Sequence, residues 1–226
     1  MKHIAKFLNN EPNSLKKYRE TTENATYSGY VDKDIETGEE KPLKKALATE
    51  QGYICCYCNN RIEIDKMTVE HYKPQSLYPK DDLNYMNLLG SCKNEERDCS
   101  EIRGNEILTH INPLKKGIEG LFGYRKKLSK EGHAIGYEIY ALSGKYQSEL
   151  EKEIVILGLN EEKLCLARKI AIEREQNKLN KIGKGLRTKS EISDRMNQFL
   201  NPKPKILAPF CMAILWYLQE KLAKRN

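Results

Sequence analysis

The sequence has no run of 18 apolar residues, which excludes a membrane-crossing helix. Its start, Met1-Lys2-His3-Ile4-Ala5-Lys6, lacks an apolar signal core and a small-residue cleavage site, so the expected compartment is the cytoplasm. It lacks internal repeats and low-complexity tracts. It also lacks an even cysteine count. Seven thiols in a reducing compartment argue against a disulfide framework, and close thiol pairs in such a chain more often bind metal.

What is there is 226 residues, 31% of them charged, with a mean hydropathy of −0.72. That suffices for one medium domain or a small domain with extensions. The net charge of +7 is unevenly spread. Residues 161–226 carry 15 Lys+Arg against 7 Asp+Glu, while the rest carries 24 against 25. A basic C-terminal third suits a phosphate backbone, although a solvated helical surface gives the same count.

The spacing predicts a short helix after Pro12, a loop over 21–41 with a strand near Tyr27–Val31, and a helix from Pro42 to Gly52. Arg61–Ile64 and Met67–Val69 read as a small hairpin turning at Asp65-Lys66. A long loop marked by Pro74 and Pro79 follows, then Leu83–Leu89 running toward Cys92, and a short helix over 100–108. Tyr137–Tyr140 suggests a strand in a glycine-rich stretch. Asn160 is expected to cap a helix that reaches Ile182 and stops at Gly183. A final helix is expected after Pro202 and Pro204, with Ile206–Leu218 apolar on nearly all sides. That face is either core or a partner surface.

Chemistry concentrates between Tyr53 and Asn105. Cys55-x-x-Cys58 can turn two thiolates toward one cation, and Cys92 with Cys99 can supply two more. Four thiolates leave no open position, so such a zinc site is structural. The alternative is unrelated buried thiols. Cys56 packs inside or points outward, and Cys165 and Cys211 fall on apolar helical faces as core residues. His110 and His133 have no partner pattern and read as structural. Glu70-His71 pairs a carboxylate suited to a hard cation with an imidazole able to take a proton near neutral pH. A lone histidine is more commonly a packing or surface residue.

The order of these parts is informative: cysteines, then Glu70-His71-x-x-Pro74, then Asn87-Leu88-x-x-x-Cys92. It resembles the HNH nucleases, and within them the Septu-system (PtuB-type) and retron-associated HNH endonucleases. Glu11-Pro12, the run from Glu50 to Cys58, Asn112-Pro113 and Ile156–Arg168 extend the likeness over about residues 4–175. The resemblance implies an α+β fold: a ββα-metal core with a four-cysteine zinc knuckle over 50–112, after an N-terminal extension (1–49) and before a mainly helical, basic region (113–226). It implies metal-dependent hydrolysis of nucleic acid, with DNA placed ahead of RNA. A structural Zn2+ and a catalytic Mg2+ or Mn2+ are implied as cofactors. An ABC-type ATPase partner in anti-phage defence is implied too.

Glu70 would then hold the catalytic ion, His71 would be the general base, and Asn87 would orient that base or brace its loop. Ser100 stands where the family has a third ligand of His, Asn or Asp, which leaves three alternatives: the ion is held by fewer protein ligands and more water, Asp98, Glu101 or Asn105 substitutes, or the site is damaged. Lys73 and Arg103 could hold flanking phosphates. The rival from another class is a non-catalytic zinc-knuckle binding module, and a further reading is an effector that attacks RNA.

Overall fold

A computed structural model describes residues 1–93, 99–181 and 188–224. The fold is mixed α+β. Helices α1 (Asn13–Thr21) and α2 (Pro42–Glu50) lead into strands β1 (Thr68–His71) and β2 (Leu88–Ser91), then helix α3 (Cys99–Arg103). A second hairpin, β3 (Phe122–Leu128) and β4 (Ala134–Ala141), is followed by α4 (Gln147–Ile156), α5 (Glu162–Lys181), α6 (Lys189–Leu200) and α7 (Cys211–Ala223).

The ββ half of the core is not the expected Arg61–Ile64 and Met67–Val69 hairpin. β1 pairs antiparallel with β2, with Val69 opposite Gly90 and His71 opposite Leu88. Ile62 and Met67 pack instead of pairing. A Cβ on Gly90 would sit 2.6 Å from the Met67 side chain and 3.0 Å from that of Ile62, so glycine leaves room for both. The outer edge of β2 is closed by Gln51, whose amide donates to the Gly90 carbonyl and accepts from its N–H. The side chain replaces a third strand and satisfies backbone groups that burial would otherwise orphan.

Other departures follow the same logic. Tyr27–Gly29 is a 3-10 turn rather than a strand. Asn160 does not cap α5; its amide bonds both the N–H and the carbonyl of Ile139 at 2.8 Å, lining the edge of β4. The expected stop at Gly183 lies outside the described residues. α6 starts from a Thr188/Glu191 capping box that the sequence pattern contains. The last helix begins at Cys211, because Leu207 and Phe210 donate backbone hydrogen bonds to Gly52 and Asn59. The C-terminal segment thus returns to brace the cysteine-bearing loop. Cys211, Ile214, Leu215 and Leu218 are buried, and the Trp216 ring meets Tyr140 edge-on, so α7 is core. Among the described residues no helix is long and apolar enough to cross a membrane.

Candidate active site

The knuckle forms where the chain turns tightly. Cys55 donates to Asn60 O and accepts from Asn59 N, and Asn59 takes φ 62°, a left-handed conformation asparagine tolerates. An antiparallel bridge between Ile54 and Arg61 closes the loop. Cys92 follows β2 and Cys99 begins α3, so the second pair comes from the ends of the ββα unit.

All four ligand sulfurs lie within 4.8 Å of one another, and all four residues are buried. Cys58–Cys92 and Cys92–Cys99 sulfur separations are both 3.7 Å. A tetrahedral zinc with bonds of about 2.3 Å requires edges of about 3.8 Å, so the donor set fits that ion in number, type and spacing. The thiols also compete for charge. Burial raises Cys55, but hydrogen bonds from its neighbours bring it well below its ordinary value, and the bonds to Cys55 hold Cys58 and Cys99 up. Cys56 sits buried beside them, its thiol pushed up by burial.

Glu70 and His71 are adjacent on β1 and reach separate partners, as alternation along a strand requires. Glu70 is 6% exposed. Its Oε1 accepts from Tyr57 Oη at 2.9 Å and from Arg103, and its Oε2 accepts from Ser100. The third motif position is therefore beside the first. Burial and Glu70 hold the Tyr57 phenol well above its ordinary value, so it remains a donor. A carboxylate with a neighbouring hydroxyl is a thin donor set for Mg2+, and both oxygens of Glu70 are already bonded within the protein, so an ion there would have to displace at least one of these partners.

His71 Nε2 lies 2.9 Å from the Asp82 carbonyl. A carbonyl only accepts, so the neutral ring carries its proton on Nε2 and its lone pair on Nδ1. Burial is the main influence on this imidazole and lowers its pKa; Asp82 and Glu70 oppose it without reversing it. The ring is thus neutral near pH 7. Tyr27 packs edge-on against it at 4.7 Å, and Asp82 accepts the Tyr27 N–H at 2.6 Å.

Asn87 braces the same loop. Its Oδ1 accepts from Lys73 N at 2.7 Å, and its Nδ2 donates to the carbonyls of Lys73 and Asp81, each at 3.1 Å. His71 and Asn87 therefore hold successive carbonyls, Asp82 and Asp81. The loop that follows β1 hangs on these two side chains.

The remaining candidates divide. Lys73 is exposed and ion-paired to Asp81 at 2.7 Å. Arg103 is 1% exposed, and its guanidinium reaches Glu70, Tyr57 and the carbonyls of His71, Tyr72 and Glu106. Arg103 is turned inward rather than toward a flanking phosphate, with each of its three guanidinium nitrogens bonding within the protein. Glu101 and Asn105 are exposed. Asp98 lies outside the described residues. His110 sits beside Glu153 at 3.4 Å with its ring tilted against that of Tyr146, and His133 is exposed. Tyr57, Tyr27 and Asp82 escaped the sequence reading. Only Tyr57, between Cys55 and Cys58, carried a positional hint.

No protein-family model matches this chain. Over 175 residues it is 30% identical to the "Retron Vc95 putative HNH endonuclease" of Vibrio cholerae serotype O1 biovar El Tor. The match covers 74% of this chain and 80% of that relative.

Proposed function

We propose, from the premise that this chain belongs to the HNH endonuclease family, that it is a metal-dependent endonuclease acting on nucleic acid, DNA ahead of RNA. Residues 50–112 serve as the nuclease core between an N-terminal extension and a basic C-terminal body. Cys55, Cys58, Cys92 and Cys99 hold a structural zinc that braces β1, β2 and α3. Glu70, with Ser100 beside it, holds Mg2+ or Mn2+. That ion, when bound, supplies positive charge to the scissile phosphate and the departing 3′ oxygen.

His71 Nδ1 takes a proton from the attacking water, whose oxygen forms the new bond to phosphorus. The bond from phosphorus to the 3′ oxygen breaks, and that oxygen takes a proton from solvent. The products are a 5′-phosphate and a 3′-hydroxyl. Asp82 fixes the His71 tautomer through its carbonyl, and Asn87 keeps that carbonyl's loop in place. The reading is supported above all by the state of His71: neutral, proton on Nε2, lone pair on Nδ1, on a ββα unit framed by four clustered sulfurs. The family resemblance further supports a role in anti-phage defence with an ABC-type ATPase. Co-purification with the product of a neighbouring ATPase gene tests that part.

Purified protein incubated with Mg2+ or Mn2+ should nick supercoiled plasmid and leave 5′-phosphate ends. Cleavage of structured RNA alone would move the reading to an RNA-directed effector. Cleavage of neither substrate, with binding retained, would favour the zinc-knuckle binding module. The observation on that module's side is that Arg103, Tyr57 and Ser100 already hold both oxygens of Glu70.

A further inference from the structure

A groove of about 540 Å³ runs alongside β1, with Thr68 and Val69 in its floor. Lys44 of α2, Lys66 and Lys93 line it, against one acidic side chain, Asp65. That carboxylate is engaged by Lys41 at 2.5 Å. Lys66 is paired with Glu63 at 2.8 Å. The nearby Asp32 carboxylate accepts the backbone N–H groups of Leu43 and Lys44, capping α2 rather than the lysine ammonium. Lys44 and Lys93 have no ion pair among the described residues. Burial pulls the Lys44 ammonium down; Asp32 opposes, and Lys41 and Lys93 add to the lowering. Two ammonium groups repelling across a groove are a cost in the free protein that a bound anion removes.

Tyr27 gives the groove its direction. It lines the groove and also packs on His71 at 4.7 Å. We propose that the groove between α2 and β1 is a phosphate-binding track, in which Lys44 and Lys93 hold backbone phosphates of the substrate strand and deliver it past Tyr27 to His71. This rests on the nuclease reading and adds to it the surface that grips the polyanion. Neither lysine was singled out by its sequence context. Lys44 sits on a helix with Lys41 and Lys45, and Lys93 follows a zinc cysteine.

The track is tested by nucleic-acid binding, not cleavage. All proteins carry His71→Ala to hold off cutting, and fluorescence anisotropy of a short labelled duplex is followed against salt. Lys44→Gln/Lys93→Gln should flatten the slope of log affinity against log salt by about 1.8, two phosphates at about 0.9 each. Lys126→Gln/Lys130→Gln, on the β3–β4 hairpin and not among the residues that line the groove, should leave the slope unchanged. Lys44→Arg/Lys93→Arg should restore it, which separates lost charge from lost folding. An undiminished slope in the Lys44/Lys93 glutamine pair, with parental binding intact, overturns the track and leaves the nuclease reading standing. No binding by the parent at any salt overturns both.

Discussion

Replacing Arg103 with alanine should destabilise the protein heavily rather than weaken its hold on nucleic acid. The Arg103 and Glu70 side chains are 1% and 8% exposed. Removing one partner of a buried pair typically costs about 3–5 kcal/mol, because the other charge is left buried and unpaired. The carbonyls of His71 and Tyr72 would also lose donors, at 3.1 and 2.6 Å, so the upper part of that range applies. For a chain this size, 1 kcal/mol moves Tm by about 2–4 °C, giving a fall of roughly 10–20 °C. Circular dichroism melting reads this directly. Arg103→Met with Glu70→Gln should recover part of the loss, since no lone charge remains. A Tm within about 2 °C of the parent for Arg103→Ala, with binding weakened, would refute the reasoning and return Arg103 to the phosphate contacts.

Other consequences are as direct. The protein should carry one zinc per chain by elemental analysis, and Cys58→Ser should lose it and unfold the knuckle, because a small ββα unit draws much of its folding energy from metal. Asn87→Ala removes three hydrogen bonds that hold Lys73 and Asp81. It should cost about 1–3 kcal/mol and slow cleavage about a hundredfold as the loop carrying the Asp82 carbonyl loosens. Glu153 accepts N–H groups from Thr109, His110 and Ile111, which outweigh its burial and depress its pKa. Its stabilisation is therefore full above the unfolded carboxylate pKa of about 4.5 and lost as pH falls through the lower folded value. Urea titrations from pH 7 to 3 should show that acid-side loss in the parent and a smaller one in Glu153→Gln.

The chemistry was more legible in the sequence than the pairing. Thiol spacing is a local constraint, so Cys55 and Cys58 can be paired before any fold is known, while Cys92 and Cys99 are candidates for the other half on a looser spacing. Strand partners are not local. Ile62 and Met67 alternate like strand residues, yet they serve as packing for the bare Gly90, which no short-range pattern encodes. Arginine burial is equally hidden: Arg103 stands next to Gly104 like a surface cation, and only Tyr57 and Glu70, far away in sequence, make it a strut. Asn160 looked like a cap because cap residues are the ones that bond backbone; the backbone it bonds belongs to β4. α6 has its start written locally, in Thr188-x-x-Glu191, although no helix is expected between Gly183 and Pro202.

The most direct measurement is cleavage by the parent and by His71→Ala, each with its zinc content determined. The account predicts nicking by the parent with Mg2+ or Mn2+ and at least a hundredfold loss in the variant, at equal zinc and at a temperature where circular dichroism shows both proteins folded. A variant that cuts as fast as the parent, or a zinc-loaded parent that cuts nothing, would contradict it.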